Sequence, residues 1–119
     1  MPSYRVQRTS QDVMRELSSI LREMKDPRIA DAMLSIVKID LDRDLTSCKV
    51  YVSSMKDYEA AKAAVKVLKA AAGFVRKELG TRIEMRHSPE IRFIADDSIA
   101  HSADIARVLK QLEESSHEN

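Results

Sequence analysis

Between Glu59 and Leu79 the chain holds a long helix-forming run with a glycine inside it, and this run limits what its neighbours can build. The stretch to Ala72 is rich in alanine and high in helix propensity, and Asp57 is placed to cap its start. Val65, Leu68, Ala72, Val75 and Leu79 fall on one side, so this side packs on a core. Glycine in a helix interior costs about 1 kcal/mol relative to alanine, so Gly73 predicts a bend between two helical segments, and Gly80 closes the second. Lys62, Lys66, Lys69, Arg76 and Lys77 advance by four, three, seven and one, which keeps them on a polar stripe passing through Gly73.

The flanking segments supply what this bent pair can cover. Val6, Val13, Met14, Leu17, Ile20, Leu21 and Met24 form the apolar stripe of a first helix, which must end near Asp26-Pro27 because proline disfavours helical geometry in the residue before it. The period then changes to two. Met33, Val37, Ile39 and Leu41 share one parity against Lys38, Asp40 and Asp42, and Cys48, Val50 and Val52 alternate with Lys49, Tyr51 and Ser53. These are two strands of an antiparallel hairpin turned at Asp42-Arg43-Asp44. Ile91 to Ile94, after Pro89, suits a third strand. Asp96-Asp97-Ser98 offers capping oxygens to a last helix carrying Ile99, Ile105, Val108, Leu109 and Leu112, and residues 113–119 form a polar tail that frays. The fold class is therefore α+β: helix, strand, strand, kinked helix pair, strand, helix, with helices covering a three-stranded sheet.

With 119 residues there is room for one core, so residues 1–119 are read as a single domain. No segment approaches the roughly 20 uninterrupted apolar residues of a membrane span, and the N-terminus shows no apolar secretory stretch, so a cytoplasmic protein is expected. Cys48 is the only cysteine, which excludes an intramolecular disulfide and a multi-thiolate metal cage. The net charge of +1 hides a polarity. Residues 59–93 hold eight basic against four acidic side chains, whereas residues 94–119 hold two against six. A basic face on the bent pair and an acidic last helix follow.

Enzymatic readings find little support. Asp96 and Asp97 with His87 or His101 would be the best acid–base set, but adjacent carboxylates before a serine are more often turn and cap groups. No Ser-His-Asp, P-loop or metal spacing accompanies them. Cys48 lies on the apolar parity of its strand, where a buried structural thiol is expected rather than a nucleophile.

Several segments together resemble one family. Lys25-Asp26-Pro27-Arg28, the strand pair around 37–41 and 48–53, Ala71-Ala72-Gly73-Phe74-Val75-Arg76-Lys77-Glu78-Leu79, Pro89-Glu90-Ile91-Arg92-Phe93 and Asp96-Asp97-Ser98-Ile99 follow the order and spacing of ribosome-binding factor A over nearly the whole chain. The resemblance implies a type II KH-like domain in which an Ala-x-Gly kink, here Ala71 and Gly73, replaces the phosphate-clamping GXXG loop, which this sequence lacks. It also implies a protein without catalysis, cofactor or metal that binds the 30S subunit precursor and its 16S ribosomal RNA, assists late small-subunit maturation, is linked to growth in the cold, and is a monomer when free. Ala95 departs from the family, many of whose members carry an aromatic residue there.

The residues expected to meet RNA are Lys62, Lys66, Lys69, Gly73, Arg76 and Lys77, with Gly73 allowing a sugar-phosphate backbone to approach the main chain. Arg5, Arg8, Arg15 and Arg22 on or before the first helix, and Arg82, extend this surface in a secondary role, because Asp12, Glu16 and Glu23 are interleaved with the first four and exposed ion pairs explain those arginines equally well. Phe74 and Phe93 fall among apolar neighbours and are expected in the core. The alternative is a protein-interaction module that uses the acidic last helix and does not bind RNA directly.

Overall fold

The computed structural model describes the backbone of residues 4–83 and 87–117, and the side chains of 9–83, 87–99 and 106–114. The elements run α1 (Tyr4–Glu23), α2 (Pro27–Ala30), β1 (Leu34–Leu41), β2 (Ser47–Ser54), α3 (Tyr58–Ala70), α4 (Ala72–Arg82), β3 (Glu90–Ala95) and α5 (Ser98–His117). This is the expected α+β order with one addition. The turn after the first helix is itself a helical turn, because the Asp26 carboxylate accepts the Arg28 N–H at 2.9 Å and Pro27 occupies the first turn.

The sheet order is β1-β2-β3, with β1 and β2 antiparallel and β2 and β3 parallel, so Cys48 lies opposite Ile91 and Val50 opposite Phe93. A parallel pair needs a long crossover, and α3 and α4 provide it. Helices α1, α3 and α4 close over the sheet, burying Val13, Leu17, Ile20, Val65, Leu68, Val75 and Leu79 against Cys48, Val50, Val52, Ile91 and Phe93.

The hairpin turn is held by Asp42 together with Thr46 and Ser47. The Asp42 carboxylate accepts the N–H (2.7 Å) and hydroxyl (2.6 Å) of Thr46 and the N–H (3.3 Å) and hydroxyl (3.2 Å) of Ser47. The Thr46 hydroxyl, with these backbone donors, holds Asp42 below the usual carboxylate range. Leu45 completes the turn at φ 59°.

The expected parity of β1 holds only in its second half. Ile39 and Leu41 turn inward, but so do Leu34 and Ile36, whereas Val37 and Met33 are exposed. The register shifts between Ile36 and Lys38, so Val37 is the extra residue of a β-bulge, and an inserted residue reverses the alternation on its far side. α5 continues to His117, through part of the stretch expected to fray, and Val108, Leu109 and Leu112 on it are exposed.

Candidate nucleic-acid interface

Asp57 caps α3 as expected, its carboxylate accepting the Ala60 N–H at 2.7 Å. Ala61, Ala64, Val65 and Leu68 are buried, which turns Lys62, Lys66 and Lys69 outward. Lys62 is engaged: its ammonium lies 2.9 Å from Glu59 and 5.1 Å from the centre of the Tyr58 ring. Lys66, Lys69 and Lys77 have no side-chain partner among the described residues.

The helix breaks at Ala71, whose φ of −95° and ψ of 5° leave the helical range. Its N–H still donates to the carbonyls of Val67 (3.2 Å) and Leu68 (3.0 Å), and its carbonyl accepts the Val75 N–H at 3.0 Å, so the two helices share this residue. Gly73 stands two residues later, in the first turn of α4 and without a positive φ. The bend thus rests on Ala71 and not on glycine's left-handed freedom. What Gly73 contributes is an open surface: a Cβ there would meet nothing within 4 Å. α4 also begins with no side-chain cap.

Arg76 is held at one edge. Its Nε donates to the Ser88 carbonyl at 3.0 Å, and the Ser88 hydroxyl donates to the Arg76 carbonyl at 2.8 Å, stitching α4 to the segment before β3. The stitch leaves Arg76 exposed and charged beside Lys77. Lys62, Lys66, Lys69, Gly73, Arg76 and Lys77 are therefore all exposed along the two helices that meet at Ala71.

The secondary arginines stand differently. Arg82 is only 25% exposed, and its guanidinium bonds to Glu23, to the Ser19 hydroxyl at 3.3 Å, and reaches Glu16 and Glu78 at 3.8 and 3.7 Å. This cluster clamps α4 to α1, and the Arg82 hydrogen bond holds the Glu23 carboxyl below its ordinary range. Arg15 pairs with Asp12 at 3.1 Å. Arg5 and Arg8 lie in α1, and their side chains fall outside the described residues.

Two residues were not assigned to the site from sequence. Arg28 grips the Asp26 carboxylate through Nε (3.0 Å) and Nη2 (2.7 Å), and both line a groove of about 350 Å³ with Met24, Lys66, Val67, Ala70 and Ala71. Phe74, expected in the core, is 55% exposed, whereas Phe93 is 2% exposed as expected. The helical wheel carried the signal: the core stripe runs through Ala72, Val75 and Leu79, and position 74 is about 100° off it, toward Lys77.

Of the residues weighed for catalysis, Asp96 and Cys48 have structural roles, Asp97 and His87 are exposed, and the side chain of His101 falls outside the described residues. The Asp96 carboxylate accepts the Ser98 N–H at 2.7 Å at the start of α5. Cys48 is fully buried, and burial pushes its thiol up to about 12, far from thiolate chemistry. Among the described residues, no three His, Cys, Asp or Glu side chains gather to hold a metal, and no helix is long and apolar enough to cross a membrane.

Residues 5–109 match the family model described as ribosome-binding factor A. A ribosome-binding factor A of Clostridium tetani is 41% identical over 121 aligned positions, covering 100% of this chain and 99% of the relative. One from Caldanaerobacter subterraneus is 46% identical, over 92% of this chain and 89% of its own. A solution structure of a Thermotoga maritima ribosome-binding factor A superposes with a TM-score of 0.69 at 29% identity, over 79% of this chain and 89% of that one. A homology model of Thermus thermophilus ribosome-binding factor A, fitted into a cryo-EM map of a complex of 30S with ribosome-binding factor A, has a TM-score of 0.60 at 24% identity, over 72% of this chain and 89% of that one.

Proposed function

The chain belongs to the ribosome-binding factor A family, and on that premise we propose that it is a non-catalytic assembly factor that binds the 30S precursor and its 16S ribosomal RNA through the exposed face of α3 and α4. Its fold is the KH-like one of its structural relatives. The single observation that carries the choice of surface is the row of exposed cations, Lys66, Lys69, Arg76 and Lys77, on either side of a helix junction where Gly73 leaves the main chain open.

Such a surface reads phosphate geometry more than base sequence. Cations placed along two helices neutralise successive phosphates and release their counterions. Binding there holds a precursor conformation through late small-subunit maturation, in the cytoplasm, and growth in the cold is where its loss is felt most.

The test is co-sedimentation with 30S subunits, 50S subunits and 70S ribosomes across a salt series. Selective binding to the 30S subunit that weakens steeply with salt is expected; no 30S binding at low salt by folded protein overturns the proposal. A second reading is favoured by the exposure of Val108, Leu109 and Leu112 on α5: capture of another protein. Loss of small-subunit binding on replacing these three, with the lysine variants unaffected, would select it.

A further inference from the structure

We propose that Phe74 is a stacking platform for one unpaired base of the bound RNA, set beside the phosphate-binding cations. This rests on the RNA-binding reading above and names what that face recognises beyond charge.

The case begins with elimination among the aromatic residues. Phe93 is buried in the core. Tyr51 lies under the Lys38 ammonium, 5.5 Å from the ring centre, and Tyr58 under that of Lys62 at 5.1 Å. The Tyr4 side chain is outside the described residues. Phe74 is thus the one described aromatic residue whose ring is largely exposed and carries neither core packing nor a cation.

Its position is equally particular. Phe74 follows Gly73 in the first turn of α4, and a Cβ on that glycine would meet nothing within 4 Å beyond its own helix neighbours. The exposure of Phe74 itself, 55%, is what leaves its ring open to a flat ligand. Lys77 stands three residues on, one helical turn away, and Lys69 and Arg76 are exposed on either side of the junction. Single-stranded RNA presents this combination of groups: a base with a π-face, flanked by phosphates on both sides. A phenylalanine ring offers no hydrogen bond, so it takes any base, and selectivity between bases has to come from elsewhere.

The chain contains no tryptophan, so Phe74→Trp introduces a single tryptophan at the proposed contact, excited selectively over the three tyrosines. The variant is titrated with an octaadenylate and with a ribose-phosphate octamer lacking bases, and binding is followed separately by the anisotropy of a label on each oligomer. Quenching of the tryptophan by the octaadenylate and not by the abasic octamer at equal occupancy is expected. In parallel, wild type, Phe74→Tyr and Phe74→Leu are compared on 30S subunits at one salt concentration. Tyrosine should preserve affinity, and leucine, which keeps apolar bulk without the ring, should lower it about 5- to 150-fold, the range for one stacked base. If wild type binds 30S subunits and the leucine variant binds equally well, or if the oligomers bind without base-dependent quenching, stacking at Phe74 is wrong while the RNA-binding face stands. If folded wild type binds neither 30S subunits nor either oligomer, the RNA-binding reading itself fails.

Discussion

Replacing Lys66, Lys69 and Lys77 together with glutamine tests the proposed face at its least encumbered positions. These three side chains are exposed and have no partner in the described structure, so their removal breaks no contact, and glutamine keeps length and helix propensity. Exposed substitutions of this kind usually shift stability by no more than about 0.5 kcal/mol, which a thermal melt would verify. For single-stranded nucleic acid, each neutralised phosphate contributes about −0.7 to the slope of log affinity against log salt. If each lysine meets one phosphate, the triple variant should show a slope shallower by about 2, and at 0.1 M salt an affinity for 30S subunits about 100-fold weaker. Filter binding or co-sedimentation at five or six salt concentrations measures both quantities. A variant that binds more weakly with an unchanged slope would refute the electrostatic account, and one that matches wild type in both would remove this face altogether.

Three further predictions concern single side chains. Ser53 is fully buried and its hydroxyl has no hydrogen-bond partner among the described residues, so Ser53→Ala should raise stability by about 1 kcal/mol, read by denaturant unfolding; a loss would reveal a partner for that hydroxyl. Gly73→Ala, at a helical position with open space around it, should also stabilise the fold by about 0.5 to 1 kcal/mol yet weaken 30S binding, and unchanged binding would show that no backbone approaches there. Arg82→Gln should flatten the acid limb of the stability curve. Because the Glu23 carboxyl sits below its usual 4.5 when folded, the stability it gives is present above that value and lost as pH falls through the lower folded one. Wild type should therefore lose more of its melting temperature between pH 7 and pH 3 than the variant, and parallel curves would show that the clamp contributes nothing.

Much of this architecture was legible because its signals are local. The stripe from Val13 to Leu21, the alternation of Cys48, Val50 and Val52, and the capping position of Asp57 each express a period or a hydrogen bond confined to a few residues. The bend was legible to within two residues, since a glycine flagged the place although Ala71 carries the break. What escaped depends on partners distant in sequence. The bulge at Val37 is defined against β2 and inverts a parity that the β1 sequence alone presents as regular. Arg82 counts as one more positive charge in composition, and only the approach of α1 makes it a clamp. Phe74 escaped for a different reason: apolar neighbours in sequence suggested the core, although the wheel pointed the ring outward.

The bulge has a consequence for what can attach to the sheet. Both outer strands end in unpaired backbone donors and acceptors, which in a flat strand would recruit a fourth strand from another chain. On β1 the extra residue at Val37 breaks the spacing of those groups, and the exposed Lys38 and Asp40 would bring charge into any added strand. On the far side β3 has six residues, follows a proline, and shows Glu90 and Arg92 to solvent. The sheet is thus closed to lateral growth by its own edges, so stacking of one copy on another through strand exchange is disfavoured even at high concentration. A partner that meets the helical layer, as proposed, meets side chains rather than an open ladder.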